Sequence, residues 1–153
     1  MNGERALSAV VYLAGEIHSD WRDQIRDQAM AAGLDVQFQG PVTDHEASDQ
    51  CGVQILGAED APFWRDRKGA GINSVRTGMM LGRCDIVVVR FGPKYRQWNA
   101  AFDAGMAVAW GKPLITLHDA ELDHALKEVD AAARATARTP QQVVEILSYV
   151  LQG

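Results

Sequence analysis

Asp85-Ile86-Val87-Val88-Val89 runs straight into Arg90-Phe91-Gly92-Pro93-Lys94-Tyr95-Arg96-Gln97-Trp98-Asn99-Ala100-Ala101-Phe102-Asp103-Ala104-Gly105. The opening five residues form a short apolar run rich in β-branched side chains. That pattern reads as a strand of a parallel sheet buried on both faces. The closing residues, from Ala100 to Trp110, open a helix of small side chains. A plain connection between the two needs only Gly and Pro, yet this one carries Lys94, Tyr95, Arg96, Gln97, Trp98 and Asn99. Open α/β sheets bind ligands beyond the carboxyl ends of their strands. Polar and aromatic chemistry therefore stands where such a fold keeps its site. Asn99 and Asp103 are four apart and share one helix face near its N-terminus.

Working outward, Ser8 to Ala14 reads as a first strand ended by Gly15. Ser19 is placed to cap a helix whose first turn holds Asp20. Trp21, Ile25, Ala29 and Ala32 recur at helical spacing, and Gly33 is the expected stop. Leu34 to Phe38 alternates as a second strand, ended by Gly40-Pro41. Val42 to Ala70 is the least regular stretch and reads as a long connection, which in a compact domain is usually functional. A helix over about 73–81 leads into the Asp85 strand. Beyond Trp110, Gly111-Lys112-Pro113 turns into a strand at Leu114–Leu117, and a short helix follows near 122–129. A weak fifth strand covers 134–138. Thr139-Pro140 starts a last helix, with Val143, Val144, Leu147, Val150 and Leu151 on its buried face. The alternation predicts one domain over 1–153, of α/β class, with a three-layer arrangement and helices on both faces of the sheet.

Composition narrows the function classes. The 153 residues are 47% hydrophobic, enough for one sizeable core. A formal net charge of -5 argues against a nucleic-acid-binding surface. No apolar run approaches the roughly 20 residues of a membrane span. The N-terminal residues lack a signal peptide's apolar region, and Cys51 and Cys84 match no disulfide framework. The expected compartment is the cytoplasm. The four histidines show neither HxH nor HExxH spacing, so no metal site is expected.

Several clusters carry candidate chemistry. Tyr12-Leu13-Ala14-Gly15-Glu16-Ile17-His18-Ser19 joins a strand end, a glycine turn and a helix start, where free backbone N–H groups can take an anion. There Gly15 would let a ligand approach the backbone, with Tyr12 and Glu16 lining the pocket. The same stretch reads equally as an ordinary β–α turn around a partly buried tyrosine. It holds no GxGxxG or Walker A motif, which disfavours dinucleotides and nucleoside triphosphates. Asp103 can act as nucleophile or general base, or simply pair with the helix dipole. Asp44-His45 with Ser48-Asp49 can supply acid–base chemistry or cap a short helix. Trp98 can stack on a base or a sugar ring, or cover core.

These residues converge on a known pattern. Tyr12-Leu13-Ala14-Gly15, the Asp85–Val89 strand, and Asp103-x-Gly105-x-Ala107 followed by Gly111-Lys112-Pro113 resemble the nucleoside 2-deoxyribosyltransferase-like superfamily over nearly the whole chain. The finer pattern is similar to its YtoQ-like family. It lies in Tyr12 to His18, Gly40-Pro41, Asp44-His45, Ser48-Asp49, Asn73, Arg76-Thr77, Phe91-Gly92 and Lys94 to Ala101. The resemblance implies a flavodoxin-like fold with a five-stranded parallel sheet. It also implies cleavage of an N-glycosidic bond through a covalent sugar–carboxylate intermediate. The superfamily nucleophile is a glutamate two residues before the helix glycine, and that position is Asp103, one methylene shorter. The superfamily's nucleophile-orienting tyrosine corresponds to Tyr12. Six residues before the nucleophile, where the superfamily often has Asp or Ser, stands Gln97. Its base-contacting aspartate falls near Thr77.

The resulting expectation is an N-glycoside hydrolase or 2-deoxyribosyltransferase acting on a nucleoside, nucleotide or related ribosyl compound. Asp103 and Tyr12 are the expected catalytic residues. Gly15, Glu16, Asp44, His45, Arg76, Gln97, Trp98 and Asn99 are the expected substrate-binding set. No cofactor is implied, because the carboxylate supplies the covalent step. The alternative is a catalytically inactive module that binds or senses a nucleotide or ribosyl ligand in the same pocket. Homo-oligomerisation, as a dimer or larger, is expected through the apolar helix that begins at Trp98.

Overall fold

The computed structural model describes residues 7–152. Its five strands are β1 (Ala9–Gly15), β2 (Val36–Gln39), β3 (Ile86–Arg90), β4 (Leu114–Leu117) and β5 (Ala135–Ala137). All pair in parallel, in the order β2-β1-β3-β4-β5. Six helices connect or follow them: α1 (Trp21–Ala31), α2 (His45–Leu56), α3 (Pro62–Arg83), α4 (Trp98–Ala109), α5 (Lys127–Ala132) and α6 (Pro140–Val150). A single 3₁₀ turn, Ala120–Leu122, precedes α5. This is the flavodoxin-like α/β order, with helices on both faces.

Period-two alternation sorts β1 between two cores. Val11 and Leu13 meet Trp21, Ile25, Val88, Val143 and Leu147 on the face covered by α1 and α6. Tyr12 and Ala14 point to the opposite face, with Val87, Val89, Leu81 and the alanines of α4. Ala100, Ala104 and Ala107 recur at helical spacing and are buried, so α4 sits close on the sheet.

Strand order reverses between β1 and β3, and the two stay paired to their last residues, Gly15 beside Arg90. Gly15 has φ +115°, and a Cβ there would lie 2.1 Å from the Arg90 carbonyl oxygen. Only glycine permits that approach. Two ends predicted from sequence hold as expected: Gly33 follows α1 with φ +70°, and the Thr139 hydroxyl accepts from the Gln142 N–H at 3.2 Å to cap α6.

The structure departs from the sequence reading in the stretch expected to be irregular. Val42 to Ala70 contains α2 and the first part of α3, which form a helical hairpin. The helix expected over 73–81 starts at Pro62, in the first-turn position where proline's missing N–H costs nothing. Hydrophobic periodicity does not mark the hairpin, because its helices pack on each other and bury little apolar surface. In α2 only Gly52 is buried, while Ile55, Leu56, Phe63 and Trp64 stay exposed. A Cβ on Gly52 would lie 2.3 Å from the Gly69 nitrogen, so glycine contact sets the spacing. The Asn73 amide adds a bond to the Ser48 carbonyl at 3.0 Å. A smaller departure concerns Ser19. The cap position of α1 is Asp20, and the Ser19 hydroxyl donates to Glu16. Among the described residues, no helix is long and apolar enough to cross a membrane.

Candidate functional site

Three helix faces enclose a cleft of about 760 Å³ at the carboxyl edge of the sheet. From α2 come His45, Ser48 and Asp49; from α3, Asp66, Asn73, Arg76 and Thr77; from α4, Asn99, Phe102, Asp103 and Met106. Gly15 and Ile17 of the β1–α1 turn line it too. The cleft lies beside the point where strand order reverses, as ligand sites in such sheets do.

Asp103 projects from the second turn of α4. Its carboxylate has no hydrogen-bond or ion-pair partner among the described residues. Burial alone pushes its pKa from the ordinary 3.8 to about 6. Tyr12 does not line the cleft. It lies buried on β1 among Thr77, Asp103, Arg22 and Arg76. Burial raises the phenol's pKa, the Thr77 side chain pulls it down, and the Asp103 charge pushes it up again, with a net rise. The phenol therefore stays protonated at neutral pH. Asn99 stands one turn before Asp103 on the same face, and Arg76 holds the Gly40 carbonyl at 3.1 Å from its place on the cleft wall. Across the cleft, His45 Nε2 approaches Asp49 Oδ2 at 3.2 Å.

Four residues of the expected set, Glu16, Asp44, Gln97 and Trp98, do not line the cleft. Asp44 caps α2 by accepting from the Ala47 N–H at 2.9 Å. The Gln97 side chain ties its own loop, accepting from the Gly92 N–H and donating to the Lys94 carbonyl, each at 2.8 Å. Trp98 is 73% exposed and does not line the cleft. Glu16 is buried in the β1–α1 turn, where it accepts from the main-chain N–H groups of His18 and Ser19, the Ser19 hydroxyl and Arg90.

Two groups were not singled out from sequence. Arg22 is buried and donates to the carbonyls of Leu13, Gly15 and Glu16 at 3.0, 3.1 and 2.7 Å. Its guanidinium lies 4.5 Å from the Trp21 ring centre. It thus satisfies three carbonyls where β1 ends, the groups that a strand end leaves unpaired. Burial pulls its pKa down to about 10, so it remains charged. Asp66 is the second. Asp66, Ala70, Asn73 and Thr77 are spaced along one face of α3, a signal readable only once 62–83 is seen as helix.

A further cluster lies at the end of β4. His118 is fully buried, with Nε2 on Asp130 at 2.8 Å, and ligand atoms of His118, Asp123 and Asp130 lie within 4.8 Å of one another. Both carboxylates are already committed, Asp130 to the Thr116 hydroxyl and Asp123 to Arg138. Their bonds brace β4 to α5 and β5. The sequence hid the grouping because the acids come from separate segments.

Comparison with known proteins agrees with this architecture. A 2-deoxyribosyltransferase from Bacillus psychrosaccharolyticus superposes with a TM-score of 0.53 at 15% identity, over 89% of this chain and 90% of that one. A conserved protein from Enterococcus faecalis V583 gives 0.59 at 14% identity, over 95% and 100%. At such identities the likeness is one of fold. In sequence, the chain is 41% identical over 146 residues to uncharacterized protein YtoQ of Bacillus subtilis strain 168, covering 95% of this chain and 99% of that protein. The family model for nucleoside 2-deoxyribosyltransferase YtoQ matches residues 12–151. The motifs along the cleft and the match across nearly the whole chain lead to one conclusion: this protein belongs to the nucleoside 2-deoxyribosyltransferase YtoQ family.

Proposed function

We propose that the protein breaks the N-glycosidic bond of a nucleoside-like ligand, by hydrolysis or by sugar transfer, with Asp103 as nucleophile. The observation that carries this reading is an unpartnered carboxylate lining the cleft beside buried Tyr12. The ionised carboxylate attacks the anomeric carbon. A carbon–oxygen bond forms, the carbon–nitrogen bond breaks, and the base leaves with the electron pair and takes up a proton. Water or a second base then displaces the carboxylate. Tyr12, kept protonated, holds the approach of Asp103. Asn99 is placed for a sugar hydroxyl. His45 with Asp49, on the far wall, is the candidate for the leaving base's proton. Membership of the family and the fold shared with a 2-deoxyribosyltransferase support the assignment.

The test is a panel of nucleosides assayed for free base by chromatography, with ligand-induced change in Tm read in parallel. Asp103→Asn is expected to abolish base release while the ligand still raises Tm. Base release by the parent should rise with pH through about 6, as the nucleophile ionises. Asp103→Glu, one methylene longer, is expected to lose about 100-fold in rate. Unchanged release in Asp103→Asn overturns the mechanism. A parent that binds nucleosides without releasing base, and gains transfer only as Asp103→Glu, is instead the binding module.

A further inference from the structure

The cleft carries an excess of negative charge. Three carboxylates line it, Asp49 from α2, Asp66 from α3 and Asp103 from α4, against one permanent cation, Arg76. Arg76 is partly spent on the Gly40 carbonyl at 3.1 Å. His45 faces Asp49, with Nε2 3.2 Å from Oδ2. Asp66 enters no ion pair among the described residues. At Asp103 burial acts with no cation to offset it, which leaves its pKa at about 6. Apolar side chains line the same space, among them Ile17, Pro41, Phe102 and Met106.

Carboxylates that share a cleft disfavour one another's ionised form. A neutral ligand displaces water from them and offers no counter-charge, whereas a cation relieves the repulsion. The apolar lining suits a flat organic ring, whose positive charge is also attracted to an aromatic face such as that of Phe102. We infer that the cleft selects N-glycosides whose base is a positively charged heteroaromatic ring over their neutral counterparts. That the ligand is an N-glycoside rests on the reading given under Proposed function. The preference for a cation does not. Such a substrate also simplifies the chemistry. A carboxylate oxygen of Asp103 bonds to the anomeric carbon, and the electron pair of the breaking carbon–nitrogen bond cancels the charge on the ring nitrogen. The base leaves neutral, without the proton that a neutral nucleoside needs. Water then displaces the carboxylate, giving the free sugar and one proton to solvent. Before the attack, the charged ring is the counter-charge that Asp103 lacks.

The experiment uses a matched pair of probes: the riboside of 3-carbamoylpyridinium, a permanent cation, and the same riboside with its ring reduced to the neutral dihydropyridine. Affinity is read by calorimetric titration and free base by chromatography. The parent should bind the cation at least about tenfold more tightly, a gap of about 1.4 kcal/mol. The gap should shrink as salt is raised. Asp49→Asn and Asp66→Asn should each lessen the preference by about threefold. Both side chains are exposed, so the variants keep the fold. Asp27→Asn makes the same change in net charge on α1, at the other face of the sheet, and should leave the preference as it is. Equal affinity for the two probes overturns the inference, as does a parent that binds neither. So does a preference that Asp49→Asn and Asp66→Asn change no more than Asp27→Asn. Base released from neutral nucleosides, lost in Asp103→Asn, with no preference for the cation upholds the glycosidic reading and overturns this one. A cation that is preferred and bound but never cleaved overturns the glycosidic reading and upholds the selection by charge.

Discussion

Asp103 shows how a buried side chain can cost stability once it ionises. Its carboxyl holds a proton more tightly in the fold, at about 6, than at its ordinary 3.8. Between those values the native state binds more protons than the unfolded one, so stability falls as pH rises. The contribution is fully present below pH 4 and lost above about 6. The difference corresponds to a native-state cost of about 3 kcal/mol once the group is ionised. Asp103→Asn should therefore leave stability nearly unchanged at pH 4 and raise it at pH 7.5, with the gain developing between pH 4 and 6. Urea denaturation across that range measures it. A variant less stable than the parent at pH 7.5 would show that the buried charge has a partner after all. At this scale the sequence was partly readable. Asp103 and Asn99 share a helix face by simple spacing. Gln97 and Asp44 are polar for the sake of their own loop and helix end, a distinction that residue type does not carry.

Among the elements, strands and hairpin differ in what holds them. Strands β1, β3 and β4 announce themselves by apolar runs because the sheet buries both their faces, while edge strand β2 shows only by alternation. Helices α1, α4 and α6 are legible by their buried stripes for the same reason. The α2–α3 hairpin buries chiefly glycine, so hydrophobic periodicity is silent there, and with it the face of α3 that brings Asp66, Asn73 and Thr77 to the cleft. Two glycine substitutions separate packing from propensity. Gly52→Ala forces a methyl against the Gly69 nitrogen, 2.3 Å away in the present geometry, and should cost about 1–3 kcal/mol. Hydrogen exchange should locate the loosening in the hairpin and spare β1 and β3. Gly71→Ala, in α3, meets no atom within 4 Å and should stabilise by about 0.4–1 kcal/mol. In a chain of this length that is a rise in Tm of about 2 °C. A fall in Tm on Gly71→Ala would point to a bend in α3 that glycine permits.

For the whole molecule, the open question is what meets its exposed apolar side chains. Phe102, Trp98 and Trp110 on and beside α4 are 68%, 73% and 51% exposed, and Val75 and Met79 on α3 are exposed as well. Met106, also on α4, lines the cleft. Self-association through the exposed set is the expected state, and light scattering at micromolar concentration should return a mass above 16.7 kDa. A single-chain mass at that concentration counts against it.

The 22 residues of α3 extend about 33 Å, longer than any strand beneath them. Leu81, near the carboxyl end, is fully buried against the sheet, while the opposite end is exposed and packs on α2. The helix is thus a lever with its fulcrum in the core. A tilt of about 10° at Leu81 carries the far end through about 5 Å, from helix length alone. The mouth of the cleft is set by an angle, and a substitution deep in the core can change its width without touching a residue that lines it.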